Sequence, residues 1–315
     1  MKALITTICL CAALLVPKQD AEAQISSTKQ KTNRFGFHPV HELGVILGAN
    51  QQRSDINNMY VIDFSSVNIA AGLYYRYTFH HRFAISTTAM YYRLEGADRF
   101  VRDKEVYSNG WFRYIRNLSY RTDLVEVALN GEFHILKYEP FETRKMRWTP
   151  YVSAGFGGVY FNPKGYFQGE WYNLQPLGTE GQGLAGYPAP YSRFTWAGPL
   201  KGGVKINLSK FMSLNAFVGY TFTGTDYLDD LSTVYPKDFN KMSYLSQQLS
   251  ARADEVSSPE VYANIIAPGT QRGNSMNKDG YWITGVSLSF KIGGLKKGPT
   301  SCVKWEREKS ASGRR

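Results

Sequence analysis

Apolar and polar residues alternate strictly along 212–223. Met212, Leu214, Ala216, Val218, Tyr220 and Phe222 fall on one face. Ser213, Asn215, Gly219, Thr221 and Thr223 fall on the other, with Phe217 as the apolar intruder. A period of two over this length predicts a β-strand. After Gly224 the alternation stops, and Thr225–Tyr235 reads as an acidic, turn-rich loop. A long strand with one apolar face, leading into an elaborate loop, is the unit that recurs along the chain.

Eight such strands are expected. They run over Val40–Ala49, Val67–Phe79, Phe83–Leu94, a fourth ending at Leu136, Pro150–Phe161, a sixth ending at Leu208, Phe211–Thr223 and Tyr281–Ile292. In the fourth, the phase shifts near Thr122 and Asp123, which predicts a bulge there. The connections alternate in length. His80–Arg82 and Ser209–Lys210 are tight turns, and Lys137–Thr149 is a basic connection. Asn50–Ser66, Glu95–Asn117, Asn162–Arg193 and Gly224–Gly280 are long loops; within the last, Phe239–Glu255 has helical composition.

Long strands joined by alternately short and long connections predict an all-β fold: an eight-stranded antiparallel transmembrane barrel of the outer-membrane type with long outer loops. A soluble sandwich would need neither strands this long nor loops this unequal. The apolar faces then point to lipid. Both termini and the short turns fall on the periplasmic side. Tyr75, Tyr77, Phe79 and Phe83 cluster at the periplasmic end, and Tyr220, Phe222 and Trp282 at the outer end, as two aromatic girdles.

The N-terminus fits export. Lys2 precedes the apolar run Ala3–Val16, and Ala21-Glu22-Ala23 forms a small-x-small cleavage site, so residues 1–23 are expected to be a signal peptide. The leader 24–38 and the tail 293–315 flank the barrel, 39–292. After cleavage one cysteine, Cys302, remains, so no internal disulfide framework is available. No later stretch is apolar for the roughly 18 residues a transmembrane helix needs.

Charge location says more than charge total. Of the net +11, the leader carries +3, Lys137–Thr149 +2 and the tail +5. All three are periplasmic in this topology. They suit either phospholipid head groups or an acidic periplasmic partner. Nucleic acid is excluded by compartment.

An eight-stranded lumen is filled by side chains, so no wide pore is expected. Its inward charges are Glu42, Glu126 and Glu132 against Arg76, Lys201 and Lys205, which predicts a self-paired polar core. Enzymatic chemistry finds little support. His38, His41, His80, His81 and His134 all map to the periplasmic end, leaving no outer histidine to activate a nucleophile. No cofactor, catalytic group or metal centre is expected. The adjacent His80 and His81 lack a carboxylate at ligand spacing, and Asp226, Asp229 and Asp230 lack the alternation and glycine pivot of a calcium loop. An outer-membrane lipid or peptide hydrolase, or a surface adhesin on a small barrel, remains as an alternative.

Two loop segments carry a family resemblance. Leu174 to Gly183 reads Leu-Gln-Pro-Leu-Gly-Thr-Glu-Gly-Gln-Gly, and Thr225 to Tyr235 reads Thr-Asp-Tyr-Leu-Asp-Asp-Leu-Ser-Thr-Val-Tyr. Minor motifs follow in order: His41-Glu42-Leu43-Gly44, Arg116-Asn117-Leu118, Thr149-Pro150-Tyr151, Phe161-Asn162-Pro163, and Arg272-Gly273 before Asp279. Together they resemble the PorG-like outer-membrane barrels of the type IX secretion system of Bacteroidota. The resemblance implies a non-enzymatic component of the cell outer membrane, set among its lipids. Its implied partners are a PorK-like lipoprotein and PorN-like periplasmic ring subunits. The loop motif it singles out comprises Leu174, Gln175, Pro176, Thr179, Glu180, Thr225, Asp226, Tyr227, Leu228, Asp229, Asp230 and Arg272. Asn215 departs from the charged residues that this family places in the seventh strand, which implies a different lumen pairing.

Overall fold

The computed structural model of the chain describes residues 37–56, 68–101, 105–143 and 147–292. The expected signal peptide, most of the basic leader and the tail 293–315 lie outside the described residues. Nine strands occur among them: β1 (Val40–Arg53), β2 (Asn68–His80), β3 (Phe83–Ala97), β4 (Ser119–His134), β5 (Trp148–Phe167), β6 (Glu170–Asn173), β7 (Phe194–Asn207), β8 (Met212–Thr223) and β9 (Gly280–Ile292). Eight of them form a ring in which every neighbour is antiparallel. β1 pairs with β9, and β4 with β5, so the sheet closes on itself. The short β6 pairs only with the far end of β5 and lies outside the ring.

The alternation seen in the sequence decides which side chain faces which way. Leu47, Ile69 and Phe156 point outward and are 60%, 75% and 68% exposed. Val45, Leu73, Val127, Leu129, Leu200 and Val286 extend the same belt. An apolar belt this continuous is unfavourable in water and favourable in a bilayer. The inward positions are buried and include many polar and charged side chains, among them Glu42, Arg76, Glu126, Asn130, Glu132, Lys205 and Asn215. No helix among the described residues is long and apolar enough to cross a membrane; a closed barrel crosses with strands, because each backbone group is paired within the ring.

Three local expectations are corrected. β4 runs straight through Thr122 and Asp123 in unbroken register with both neighbours, so no bulge forms there. Asp123 merely faces outward among the odd-numbered, wall-facing positions. The register irregularity falls instead at Thr78–His80, beside the tight β2–β3 turn. β5 continues to Phe167, well beyond Phe161, because β6 folds back and supplies its outer end with a partner.

The third correction concerns the loop 98–118. It holds a helix, α1 (Asn109–Arg116), where a charged loop was expected. Ser108 caps it by accepting a hydrogen bond from the Trp111 amide at 3.0 Å, and Asn117 ends it in the left-handed region. The long β8–β9 connection contains α2 (Tyr244–Ser250) and α3 (Pro259–Ile265), within and just after the segment of helical composition. At the short-turn end, Tyr138 and Phe141 tuck under the barrel. The Tyr138 amide donates to the His81 carbonyl at 3.0 Å, and the Phe141 amide to Asn207 Oδ1 at 2.9 Å.

Candidate functional site: the charged lumen and the outer cap

Two polar systems fill the molecule. The first lies in the lumen towards the short-turn end. Arg76 on β2 bridges Glu42 on β1 at 3.0 Å and Glu132 on β4 at 3.0 Å. Lys205 on β7 pairs with Glu132 from the other side and lies 2.9 Å from His134 Nε2. Ser86 donates to Glu132 at 2.8 Å, and Ser289 to Glu42 at 3.0 Å. Strand register makes this network: Glu42 sits directly opposite Arg76, and Glu132 two positions along from it through Ala84 and Ser86 of β3.

Glu126 and Lys201 also face the lumen but stand outside these ion pairs. Glu126 lies six residues along β4 from Glu132, roughly 20 Å at strand rise. Among the described residues, the Tyr281 and Thr221 hydroxyls are the hydrogen-bond donors that reach it there. Lys201 lines a cavity of about 30 Å³ with Arg76, Glu132, Asn215 and Tyr151. That volume suits a water molecule or two.

The second system is the outer cap, built by the long loops. Leu228 and Leu231 drop into one apolar cluster with Tyr92, Leu94, Leu124, Phe161 and Tyr281 of the barrel mouth. Above this seal, Arg272 is fully buried. Its guanidinium donates to Glu180 Oε1 at 3.0 Å, to the Asp230 carbonyl at 2.6 Å and to the Ser250 carbonyl at 3.3 Å. Glu180 accepts in turn from the Ser232 amide at 2.9 Å and from the Thr233 amide and hydroxyl at 3.1 and 2.7 Å. Asp230 accepts from Thr179 and from Tyr191. Arg116, at the end of α1, grips Asp98 through two hydrogen bonds of 2.8 and 2.7 Å and donates to the Arg272 carbonyl at 2.6 Å. The β3–β4 loop is thereby locked to the β8–β9 loop.

The expected loop residues therefore divide. Glu180, Thr179, Asp230 and Arg272 converge on one ion network across loops distant in sequence. Leu174 precedes the neighbouring 3-10 turn Gln175–Leu177, which includes Pro176; Gln175 donates to the Tyr191 carbonyl at 3.0 Å and Leu174 is buried. Tyr227 stacks on Tyr191 with ring centroids 4.2 Å apart, and the Thr225 carbonyl accepts from the Asp279 amide.

Asp226 and Asp229 belong to a different group, with Asp55 and Asp279. Asp229 accepts from the Ile56 and Leu231 amides, Asp279 from the Leu228 amide, and Asp55 from the Asn274 amide. Among the described residues, neither Asp226 oxygen has a hydrogen-bond partner. Burial pushes the Asp226 carboxyl up to about 8 and Asp229 to about 7, with Asp55 adding to both. Burial and the Asp229 and Asp226 carboxyls hold Asp279 well above the usual range. Asp230 rises to about 6 through burial, although Arg272 opposes it. These carboxyls are poised to hold protons, not to act as a charged binding site.

Asp55, Asp98, Tyr191 and Ser250 are the members sequence reasoning missed. No local pattern marks them, because their partners lie in other loops. Arg116 and Asp279, by contrast, stood inside the minor motifs quoted above. Among the described residues, no group of three or more His, Cys, Asp or Glu side chains is placed to hold a metal ion.

A closed antiparallel ring, a lipid-facing belt and a charged, filled lumen define a transmembrane β-barrel of the outer-membrane type. The chain belongs to the DUF6089 family, a domain of unknown function, whose model matches residues 32–250. Among curated proteins, none matches its sequence. Solved structures that overlap it include three small barrels. Neisserial surface protein A is 8% identical over 80% of this chain and 97% of that one, with a TM-score of 0.39. OprG of Pseudomonas aeruginosa is 11% identical over 81% and 95%, at 0.37. Ail of Yersinia pestis is 9% identical over 81% and 97%, at 0.33. The barrel assignment rests on this chain's own strand pairing and lipid-facing belt.

Proposed function

We propose that this barrel is a non-enzymatic outer-membrane component of a type IX secretion machine, holding a periplasmic ring of PorK-like and PorN-like subunits against the membrane. The observation that carries the proposal is the conjunction of the PorG-like loop motifs with a barrel that leaves no room for a substrate. Its lumen is filled by paired charges, its outer mouth is plugged by Leu228 and Leu231, and Tyr138 and Phe141 pack beneath the other end. Function then falls to surfaces. The positive charge of the leader, the Lys137–Thr149 connection and the tail supplies a basic periplasmic rim for an acidic partner.

The test is affinity purification of the detergent-solubilised full chain, and of a chain lacking 293–315, from cells making the ring subunits. Ring subunits should accompany the full chain and be depleted from the shortened one. Equal recovery with both chains removes the tail as the dock. Recovery with neither overturns the secretion-ring proposal and returns the enzyme and adhesin alternatives.

A further inference from the structure

The outer surface of the barrel is not uniform at its long-loop end. Strand register fixes the rows of the β3–β4–β5–β7 wall. Thr87, Leu129 and Phe156 make one row, and Tyr91, Val125, Tyr160 and Phe194 the row two steps further out. Three of the four residues in the outer row are aromatic, as a membrane interface requires. The next two rows are charged. Arg93, Asp123 and Asn162 align in one; Glu95, Arg121 and Lys164 align in the other. Arg193 reaches the same level by stacking over Tyr160 at 5.5 Å and donating to Asn162 Oδ1 at 3.4 Å.

Among the described residues, four cations here face two carboxylates. Asp123 is shared by Lys164 at 2.7 Å and Arg93 at 3.4 Å. Arg121 lies 3.7 Å from Glu95, beyond good hydrogen-bond length, and stacks over Trp171 at 5.0 Å. Stacked guanidiniums present their N–H edges sideways, the geometry that grips a phosphate with two parallel bonds. The β1–β9–β8 wall handles the same level differently. Its rows are Gln51, Trp282 and Tyr220, then Arg53, Gly280 and Phe222: aromatic anchors with a single cation among the described residues. Anchoring at the interface therefore does not demand cations, and the β3–β5 wall carries an excess that anchoring leaves unexplained.

We propose that Arg93, Arg121, Lys164 and Arg193 form a binding site for the phosphorylated headgroup of an outer-leaflet glycolipid of the lipid A type. The site lies where such a headgroup sits, directly beyond the aromatic row, so acyl chains can lie against Phe156, Val125 and Tyr160 while the phosphates meet the guanidiniums. Its excess of positive charge complements phosphate, and its two carboxylates hold the cations in place. The location in the outer leaflet rests on the topology of the proposed function, with the long loops outside.

Native mass spectrometry of the full detergent-solubilised chain tests the site, with diphosphorylated lipid A, its dephosphorylated form and inorganic phosphate as probes. Diphosphorylated lipid A should be retained, the dephosphorylated form weakly, and inorganic phosphate not at all, since it lacks the acyl contacts. Arg121→Gln/Lys164→Gln should weaken retention at least tenfold, since about tenfold is the size expected for losing a single charge-assisted contact. Lys210→Gln, in the short β7–β8 turn at the opposite rim, should leave it unchanged. Equal retention of phosphorylated and dephosphorylated forms, or an equal loss in Lys210→Gln, overturns the proposal. Retention of inorganic phosphate alone makes it a free-phosphate site and overturns it as well. The topology is tested separately by labelling Met276→Cys, in a Cys302→Ser background, with a membrane-impermeant maleimide on intact cells. Met276 is 90% exposed on the β8–β9 loop. Labelling only after permeabilisation overturns the topology, whatever the binding measurement returns.

Discussion

The lumen and the cap both bury ionisable side chains and arrange them in opposite ways. In the lumen each acid of the Glu42–Arg76–Glu132–Lys205 network touches a base. In the cap, Arg272 and Arg116 neutralise Glu180, Asp230 and Asp98, but Asp55, Asp226, Asp229 and Asp279 crowd together and lean on backbone amides. A rigid ring of strands can place opposite charges side by side through register. Loops meeting from four connections satisfy backbone amides first and accept like charges as a consequence. The lumen is therefore built as a permanent lock, and the cap as a lid whose strength depends on protonation.

Severing the lumen lock should have the largest effect. Arg76→Met leaves the buried Glu42 without a cation and Glu132 with Lys205 alone, at a cost of about 3–5 kcal/mol, as for other broken buried pairs. Urea titration of the folded barrel in detergent should show the whole ring unfolding at lower denaturant. An unchanged midpoint would mean that water in the lumen already screens these charges. Arg272→Met should be of similar intrinsic cost but local, because the ring does not depend on it. Limited proteolysis should cut within 224–279 while the strands stay protected; loss of the whole barrel would show that lock and lid are one cooperative unit.

The smallest effect, and the sharpest test of the contrast, is pH. In the folded cap Asp226 holds its proton up to about 8 and Asp229 up to about 7, whereas a free aspartate releases it near 3.8. Between those values the folded cap binds more protons than the open one, so its stability falls as pH rises. Amide exchange of the cap should quicken from pH 5 to pH 8, after correction for the intrinsic rate, while the lumen strands keep their protection. Asp226→Asn removes one charge from the crowd and should slow amide exchange of the cap at pH 8. A cap with the same protection in both proteins would place the pH dependence elsewhere.

Legibility followed the same division. Glu42, Arg76, Glu132 and Lys205 could be assigned to the lumen from alternation alone, because a period of two fixes the side of the wall. Which of the six lumen charges meet could not be read, since it depends on stagger between strands; Glu126 is out of reach for that reason. In the cap, Thr179, Glu180, Asp230 and Arg272 were singled out by motif, yet nothing local revealed that they form one network. Asp55 and Asp98 carried no signal, because a loop residue acquires its partners only when distant connections converge. The helix α1 escapes a reading by periodicity because Asn109–Arg116 makes only about two turns, and it is held by Ser108, Asn117 and the Arg116–Asp98 pair.

The sequence by itself determined the barrel: strand number, the lipid-facing and lumen-facing sides, and the asymmetry of short turns and long loops. Those properties follow from local alternation and chain length, which need no distant partner. Only the tertiary structure decided the pairing of buried charges, the sealing of the mouth by Leu228 and Leu231, and the gathering of four cations on one wall. Each depends on register and loop convergence, which bring together residues that no local pattern connects.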